Sequence, residues 1–376
     1  MEKAYAKTVW ILPDDFDSYR VFRKILFRLE MTSSPGYPYN SIGPTNRDVL
    51  KFNGVTFDEV RVASLWFDVQ KLLSLEKNDL ILRVFIKPEP HKLAKLQENR
   101  LRLIMACPLN YQIVWHMLFD YQNDLEIAQS YNIPSQQGIV LPLGGWKNYL
   151  RQWKAKGFDT GLDKSAWDWT APYWALNLDL EFRKRMGRGR RMDDWNKLAG
   201  VMYKRMFHRA FLLLSDGRVF RQIHPGIMKS GCVNTISTNS HMQVMIHILA
   251  CEDQNVDYEP LPACCGDDTL QKLSQAVDLS CYARYGAIVK SASADIEFVG
   301  HEFTRAGPIP LYHGKHVSKF MTVPDDILPE YLDSMCRLYC KNGVVFYFWM
   351  RMAEKLGLLN KLKSREYYQD WYDYQM

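Results

Sequence analysis

The sequence predicts a mixed α/β (α+β) fold, and three observations carry that reading. Segments with apolar residues at helical spacing alternate with short apolar runs bounded by Gly, Pro and Asp. Several of those runs come in pairs around a Gly-containing turn, the pattern of antiparallel hairpins. The 376 residues, 13% of them aromatic with 11 Trp and 21 Tyr, supply a large core and argue against disorder. The 8 cysteines are scattered, only Cys264 and Cys265 are adjacent, and no Cys-x-x-Cys occurs. This points to reduced thiols in a cytosolic setting, with neither a disulfide framework nor a zinc site. The net charge of +6 suits a polyanionic partner. Met1 leads into Glu-Lys-Ala with no apolar segment, so no signal peptide is expected. The longest aromatic-apolar run, Val344 to Met350, is far too short to span a bilayer.

In chain order, Asp14 to Glu30 reads as a helix behind an Asp N-cap, with Tyr19, Phe22, Leu26 and Leu29 on one side. Thr32 to Tyr39 is an irregular loop of Ser, Pro, Gly and Tyr. It is either a connector or a surface for a nucleic-acid backbone and a stacked base. Thr56-Phe57-Asp58-Glu59 is a capping box opening a helix through Val62, Trp66, Val69 and Leu73. Leu80 to Ile86 reads as a buried strand, stopped by Lys87-Pro88-Glu89-Pro90-His91-Lys92. Arg100 to Ile104 alternates, so Arg100 and Arg102 should leave one face of a strand. With Lys87, His91, Lys92 and Lys95 they form either a solvated face or a cradle for a triphosphate. Helices follow over Leu109–Gln129 and Trp146–Lys156, the second closed by Gly157.

Gly161 to Trp169 reads as a strand ending near Asp163, a turn, and a helix from about Pro172. Asp163 and Asp168 either cap that helix or offer carboxylates to a hard cation. Arg183, Lys184, Arg185, Arg188, Arg190 and Arg191 read as a solvated basic surface, with RNA contact as the alternative. A helix over Asp193–Phe207 and a hairpin of Phe211–Leu214 with Arg218–Gln222 come next. Lys229 to Thr235 is a small-residue loop opening a helix on which Thr235 and Asn239 share a face. Leu261 to Leu270 is a hairpin with Gly266-Asp267-Asp268 at its tip, an arrangement that by itself is an ordinary exposed turn. Alternation sends the two acids to opposite sides. Leu270 to Tyr285 reads as partly helical, Lys290 follows a short strand, and Ile296–Phe303 pairs with Pro310–Lys319. Aromatic helices follow Pro324.

The order of these signals says more than any one of them. The loop at Ser34–Tyr39, the cations Lys87, Arg100 and Arg102, Asp163-x4-Asp168, Ser230-Gly231-x3-Thr235-x3-Asn239 and Gly266-Asp267-Asp268 follow one another. Together they resemble motifs G, F, A, B and C of the RNA-dependent RNA polymerases of positive-strand RNA viruses, from about Thr32 to Lys319. Lys87 to Lys92 and Trp167-Asp168-Trp169 are most similar to the sobemovirus and polerovirus-like branch. The resemblance implies a right-hand polymerase: 1–157 fingers, 158–187 palm, 188–224 a fingers insertion, 225–319 palm and 320–376 thumb, with an antiparallel palm sheet backed by helices. It implies template-directed nucleotidyl transfer from NTPs to an RNA 3′-hydroxyl, replicating a viral genome in the host cytoplasm. Partners would be the RNA template, the nascent strand, and other viral replication proteins or a protein primer.

By the same resemblance, Asp163 and Asp267, with Asp268 as a third, would hold Mg²⁺, Mn²⁺ being the alternative. Arg100, Arg102 and Lys87 would take the triphosphate. Asp168, Thr235 and Asn239, with Ser230, would bind the NTP and read its 2′-hydroxyl. Lys290 would give a proton to pyrophosphate. Ser34, Gly36, Tyr37, Gly231 and Lys319 would contact RNA. A reverse transcriptase would be expected to carry an aromatic residue near Asp168 and would have no use for the polar Thr235–Asn239 pair. A silent RNA-binding scaffold would not need the intact Asp163, Asp267 and Asp268.

Overall fold

Four sheets organise the computed structural model, which describes residues 1–374. In chain order the strands are β1 (Trp10–Ile11), β2 (Ile81–Ile86), β3 (Leu103–Ala106), β4 (Thr160–Lys164), β5 (Gly187–Arg188), β6 (Phe211–Leu213), β7 (Val219–Arg221), β8 (Ala263–Cys265), β9 (Asp268–Gln271), β10 (Val289–Ser293), β11 (Glu297–Phe298), β12 (His301–Thr304) and β13 (Gly307–Pro310). The sheet that matters most for function is antiparallel, in the order β10-β4-β9-β8. The helix Thr235–Asp253 packs on β8 and on the helix Tyr173–Met186. A second sheet, β3-β2-β6-β7, joins the basic strand region to the hairpin at 211–221.

Two apolar clusters form the interior. The larger gathers Trp10, Phe22, Trp115, Trp195 and Met206 around the helix Leu109–Ala128. The second gathers Trp153, Phe158, Phe298, Phe303, Trp349 and Tyr368. The helix Gly145–Ala155, just before the boundary set at residue 157, therefore shares its core with the C-terminal helices Leu328–Tyr339 and Gly343–Lys355. No helix among the described residues is long and apolar enough to cross a membrane.

Several local expectations change. The first long helix is only Tyr19–Leu26, capped by Ser18, whose hydroxyl accepts from Val21 N. Asp14 and Asp15 lie before it and pair with arginines instead. Asp58, not Thr56, caps the helix Glu59–Leu73. Arg100 and Arg102 precede β3 and do not share a strand face, because the helical turn Leu93–Gln97 and Asn99 at positive φ delay the strand to Leu103. Leu270 belongs to β9, and the helix after it is Leu279–Arg284. The late hairpins are β11-β12-β13, so Lys319 sits exposed on the helix His313–Phe320 and not on a strand.

The basic cluster divides: Lys184, Arg185, Arg188 and Arg190 are exposed, as a solvated surface requires, and Arg183 is the exception. Arg183 is fully buried and bonds Asp179 on its own helix. Arg185, Arg190 and Arg191 pair with Glu2, Asp14 and Asp17 of the N-terminal segment, and β1 runs parallel to β5 beside them. Arg185, Arg190 and Arg191 thus hold that segment against the helix, and charge counting could not show it, because Glu2, Asp14 and Asp17 lie far away in sequence.

Candidate active site

The site is built on the end of β4 and the turn between β8 and β9. Leu162 pairs with Thr269 across the sheet, which brings Asp163 beside the Gly266-Asp267-Asp268 turn. Gly266 adopts φ +66, and Asp267 stands exposed at the tip, on the turn itself and not on a strand next to β4. Asp268 begins β9 and is half-buried, so the two acids do separate as alternation requires. Burial pushes the Asp268 carboxyl up to about 6, and the charges of Asp267 and Asp163 add to that. Among the described residues no three carboxylate, imidazole or thiol groups converge on one point. What is present is a concentration of carboxylate charge made of hard oxygen donors, the chemistry that suits a Mg²⁺-type cation. Asp163 and Asp267 fit that role, and the half-buried Asp268 fits it less well.

Lys290 reaches this patch through a backbone irregularity. Val289 pairs with Lys164 and Ser291 with Asp163, so Lys290 is the extra residue of a bulge in β10. Its Nζ lies 3.0 Å from Asp163 Oδ2. Two side chains are also spent beneath the turn. Ser240 Oγ accepts from Gly266 N at 2.9 Å. The buried Lys164 donates to Asp267 O at 3.0 Å, to Leu162 O at 3.4 Å and to Thr269 Oγ1. Burial lowers the Lys164 ammonium to about 8 against the pull of the nearby acids. Neither residue was singled out from sequence. Strand alternation next to Asp163 could have put Lys164 on the covered face of the sheet, but not told what it holds.

Asp168 follows a turn in which Ala166 takes φ +48, an uncommon conformation for a non-glycine residue. Asn239 Nδ2 donates to Asp168 Oδ1 at 3.2 Å, while Trp167 Nε1 donates to Asn239 Oδ1 at 2.9 Å. Trp167 therefore sets which end of the amide faces the acid. Burial raises the Asp168 carboxyl, and Asp267 raises it further, while Asn239 and Arg102 oppose the shift. Thr235 does not join this pair. Its hydroxyl turns back on the loop before the helix, 2.6 Å from Cys232 O and 3.1 Å from Lys229 O.

That loop is clamped to the second sheet. Met105 N donates to Ser230 Oγ at 3.2 Å. A Cβ on Gly231 would fall 2.1 Å from Met105 O, so only glycine allows this approach. Gly36 lies against the next stretch, where a Cβ would come 2.5 Å from Cys107 O, and Ser34 Oγ accepts from its amide. Tyr37 is exposed beside it. The two loops thus meet at the end of β3. Arg102 and Lys87 are held together by Glu89, at 3.0 and 3.2 Å, and Lys87 N donates to Arg102 O. Arg100 is exposed and pairs with Glu98 instead.

Residues 17–306 match the family model described as viral RNA-dependent RNA polymerase. The chain belongs to the viral RNA-dependent RNA polymerase family. This chain is 30% identical over 339 residues to Protein P1-P2 of Turnip yellows virus, covering 80% of this chain and 30% of that protein. It is 34% identical to Replicase polyprotein P2AB of Southern bean mosaic virus, over 57% of this chain and 23% of the relative. An RNA-directed RNA polymerase of Mushroom bacilliform virus is 29% identical, over 62% and 58%. These relatives support the sobemovirus and polerovirus-like group. This chain spans less than a third of the length of the first two. Its structure aligns with a Sicinivirus 3Dpol RNA dependent RNA polymerase at a TM-score of 0.70 and 18% identity, over 91% of this chain and 76% of that one. The fold is therefore the viral polymerase right hand.

Proposed function

We propose that this chain is an RNA-directed RNA polymerase that joins NTPs to an RNA 3′-hydroxyl on an RNA template, for replication of a viral genome in the host cytoplasm. The observation that carries the reading is the placement of Asp163 beside the Asp267 turn, with the Asp168–Asn239 pair close enough to Asp267 to feel its charge. Mg²⁺ or Mn²⁺, when bound by Asp163 and Asp267, would supply Lewis-acid activation of the hydroxyl and charge stabilisation at the phosphates.

The other groups act by position and charge, which is most of what phosphoryl transfer requires. Arg102 and Lys87, pre-aligned by Glu89, take the triphosphate, and the exposed Arg100 draws it in. Asp168 and Asn239 read the 2′-hydroxyl, one accepting and one donating. Thr235 supports that pair by shaping the loop that Ser230 and Gly231 anchor to β3. Lys290, aimed by its bulge, hands a proton to the departing pyrophosphate. Ser34, Gly36 and Tyr37 guide the template, and Lys319 meets the product strand. The boundaries 158–187 and 225–319 serve as the palm, with fingers before and between them and the thumb after 320. Partners are the template, the nascent strand, NTPs and further viral replication proteins.

The test is divalent-cation-dependent extension of an RNA primer on an RNA template. Wild-type protein extends with NTPs, and Asp267→Ala does not. Extension that survives Asp267→Ala unchanged overturns the site, and RNA binding without extension by the wild type overturns the activity.

A further inference from the structure

Lys164 is a buried cation that the mechanism above does not use. It follows Asp163 on β4, and strand alternation puts it on the covered face with Leu162 while Asp163 faces solvent. Its Nζ curls up under the hairpin and makes three donations: to the carbonyls of Leu162 and Asp267 and to Thr269 Oγ1. An ammonium has three protons to give, and all three have an acceptor here. A neutral amine would aim its lone pair at one of those oxygens. Among the described residues no carboxylate pairs with Lys164 directly, so its charge is available to the acids on the other side of the turn.

From this geometry we infer that Lys164 is a resident counter-cation beneath the carboxylates, a positioning residue that limits how tightly the site holds a divalent cation. The inference rests on Asp163 and Asp267 being the cation ligands. With the ammonium in place, part of the attraction that Asp163, Asp267 and Asp268 exert is already spent. The cation is then held weakly enough to exchange with each nucleotide. Ser240 holds the same turn from the helix side without any charge, through Gly266 N. The two residues therefore separate charge from mechanical support. If Lys164 served only to brace the hairpin, removing it and removing the Ser240 hydroxyl would change cation binding in the same direction.

The experiment is calorimetric titration of Mn²⁺ into the RNA-free protein, with circular dichroism to confirm the fold. Lys164→Met is expected to bind Mn²⁺ roughly tenfold more tightly than the wild type, since a unit charge near a divalent ion in a partly solvated site has about that effect. Lys164→Arg stays within about twofold because it keeps the charge. Ser240→Ala binds more weakly. If Lys164→Met does not fold, Lys164→Gln removes the charge and keeps an amide donor, and it is expected to shift affinity the same way. A folded neutral variant with unchanged or weaker Mn²⁺ affinity overturns the inference. A wild-type protein that binds no Mn²⁺, or that binds it equally after Asp267→Ala, overturns the site reading beneath it.

Discussion

Arg183→Met removes the centre of a buried polar cluster that ties four helices together. Arg183 donates to Asp179 Oδ2 at 3.1 Å, Asn123 Oδ1 at 3.1 Å, Gln122 Oε1 at 3.4 Å, Ser237 Oγ at 2.8 Å and Thr238 Oγ1 at 3.2 Å. Asp179 also accepts from Tyr203 at 2.6 Å and from Thr238 at 2.8 Å. His241 lies between Asp179 and Glu126, at 2.6 and 2.8 Å. All four ionisable partners are buried. Two basic groups, Arg183 and His241, stand against two acidic ones, Asp179 and Glu126, so the cluster is balanced. Methionine fills much of the arginine's volume but leaves one net negative charge without a partner. Stranding a buried charge costs about 3–5 kcal/mol.

The pH dependence follows from the same cluster. Burial would raise the Asp179 carboxyl, but Arg183 and His241 hold it well below the ordinary range. Its contribution is therefore present above the unfolded value of about 3.9 and is lost as pH falls toward the folded value. Without Arg183 the folded value rises, and protonation of a carboxylate relieves the stranded charge. The deficit should be largest near neutral pH and shrink in mild acid. Urea unfolding followed by tryptophan fluorescence at two pH values measures it. A loss under about 1 kcal/mol near neutral pH would refute the assignment of a stranded charge.

Three further outcomes are expected. Asn239→Ala should lower the preference for NTPs over dNTPs roughly tenfold, the worth of one good hydrogen bond, as read from paired incorporation kinetics; unchanged discrimination removes Asn239 from ribose reading. Gly231→Ala should drive the loop off β3 and reduce template binding and extension while leaving the unfolding midpoint nearly unchanged, as compared by RNA titration and urea melts. His241→Gln should lose a stabilising term that is fully present below the unfolded value of about 6.5 and fades as pH rises through the raised folded one. Burial works against that raised value, and Glu126 and Asp179 outweigh it, so the variant and wild type should converge in stability as pH rises, in a pH-resolved melt.

What the sequence by itself determined is the set of local devices. The Gly-Asp-Asp turn, the strand ending at Asp163 and the helix carrying Thr235 and Asn239 could be read from turn chemistry and from periods of two and 3.6. Their order along the chain was enough to suggest the family. Tertiary structure decided which distant groups meet. Arg183 reads as one more surface arginine until Asp179, His241 and Thr238 close around it, and Arg185, Arg190 and Arg191 find their acids near the N-terminus. Lys290 reaches Asp163 because of a bulge that only strand pairing reveals. Thr235 shares a helix face with Asn239, yet its hydroxyl is used on its own loop. The physical reason is common to all of these. Periodicity reports which face of an element is covered, whereas the partner of a charge or hydroxyl is set by long-range packing that no local window contains.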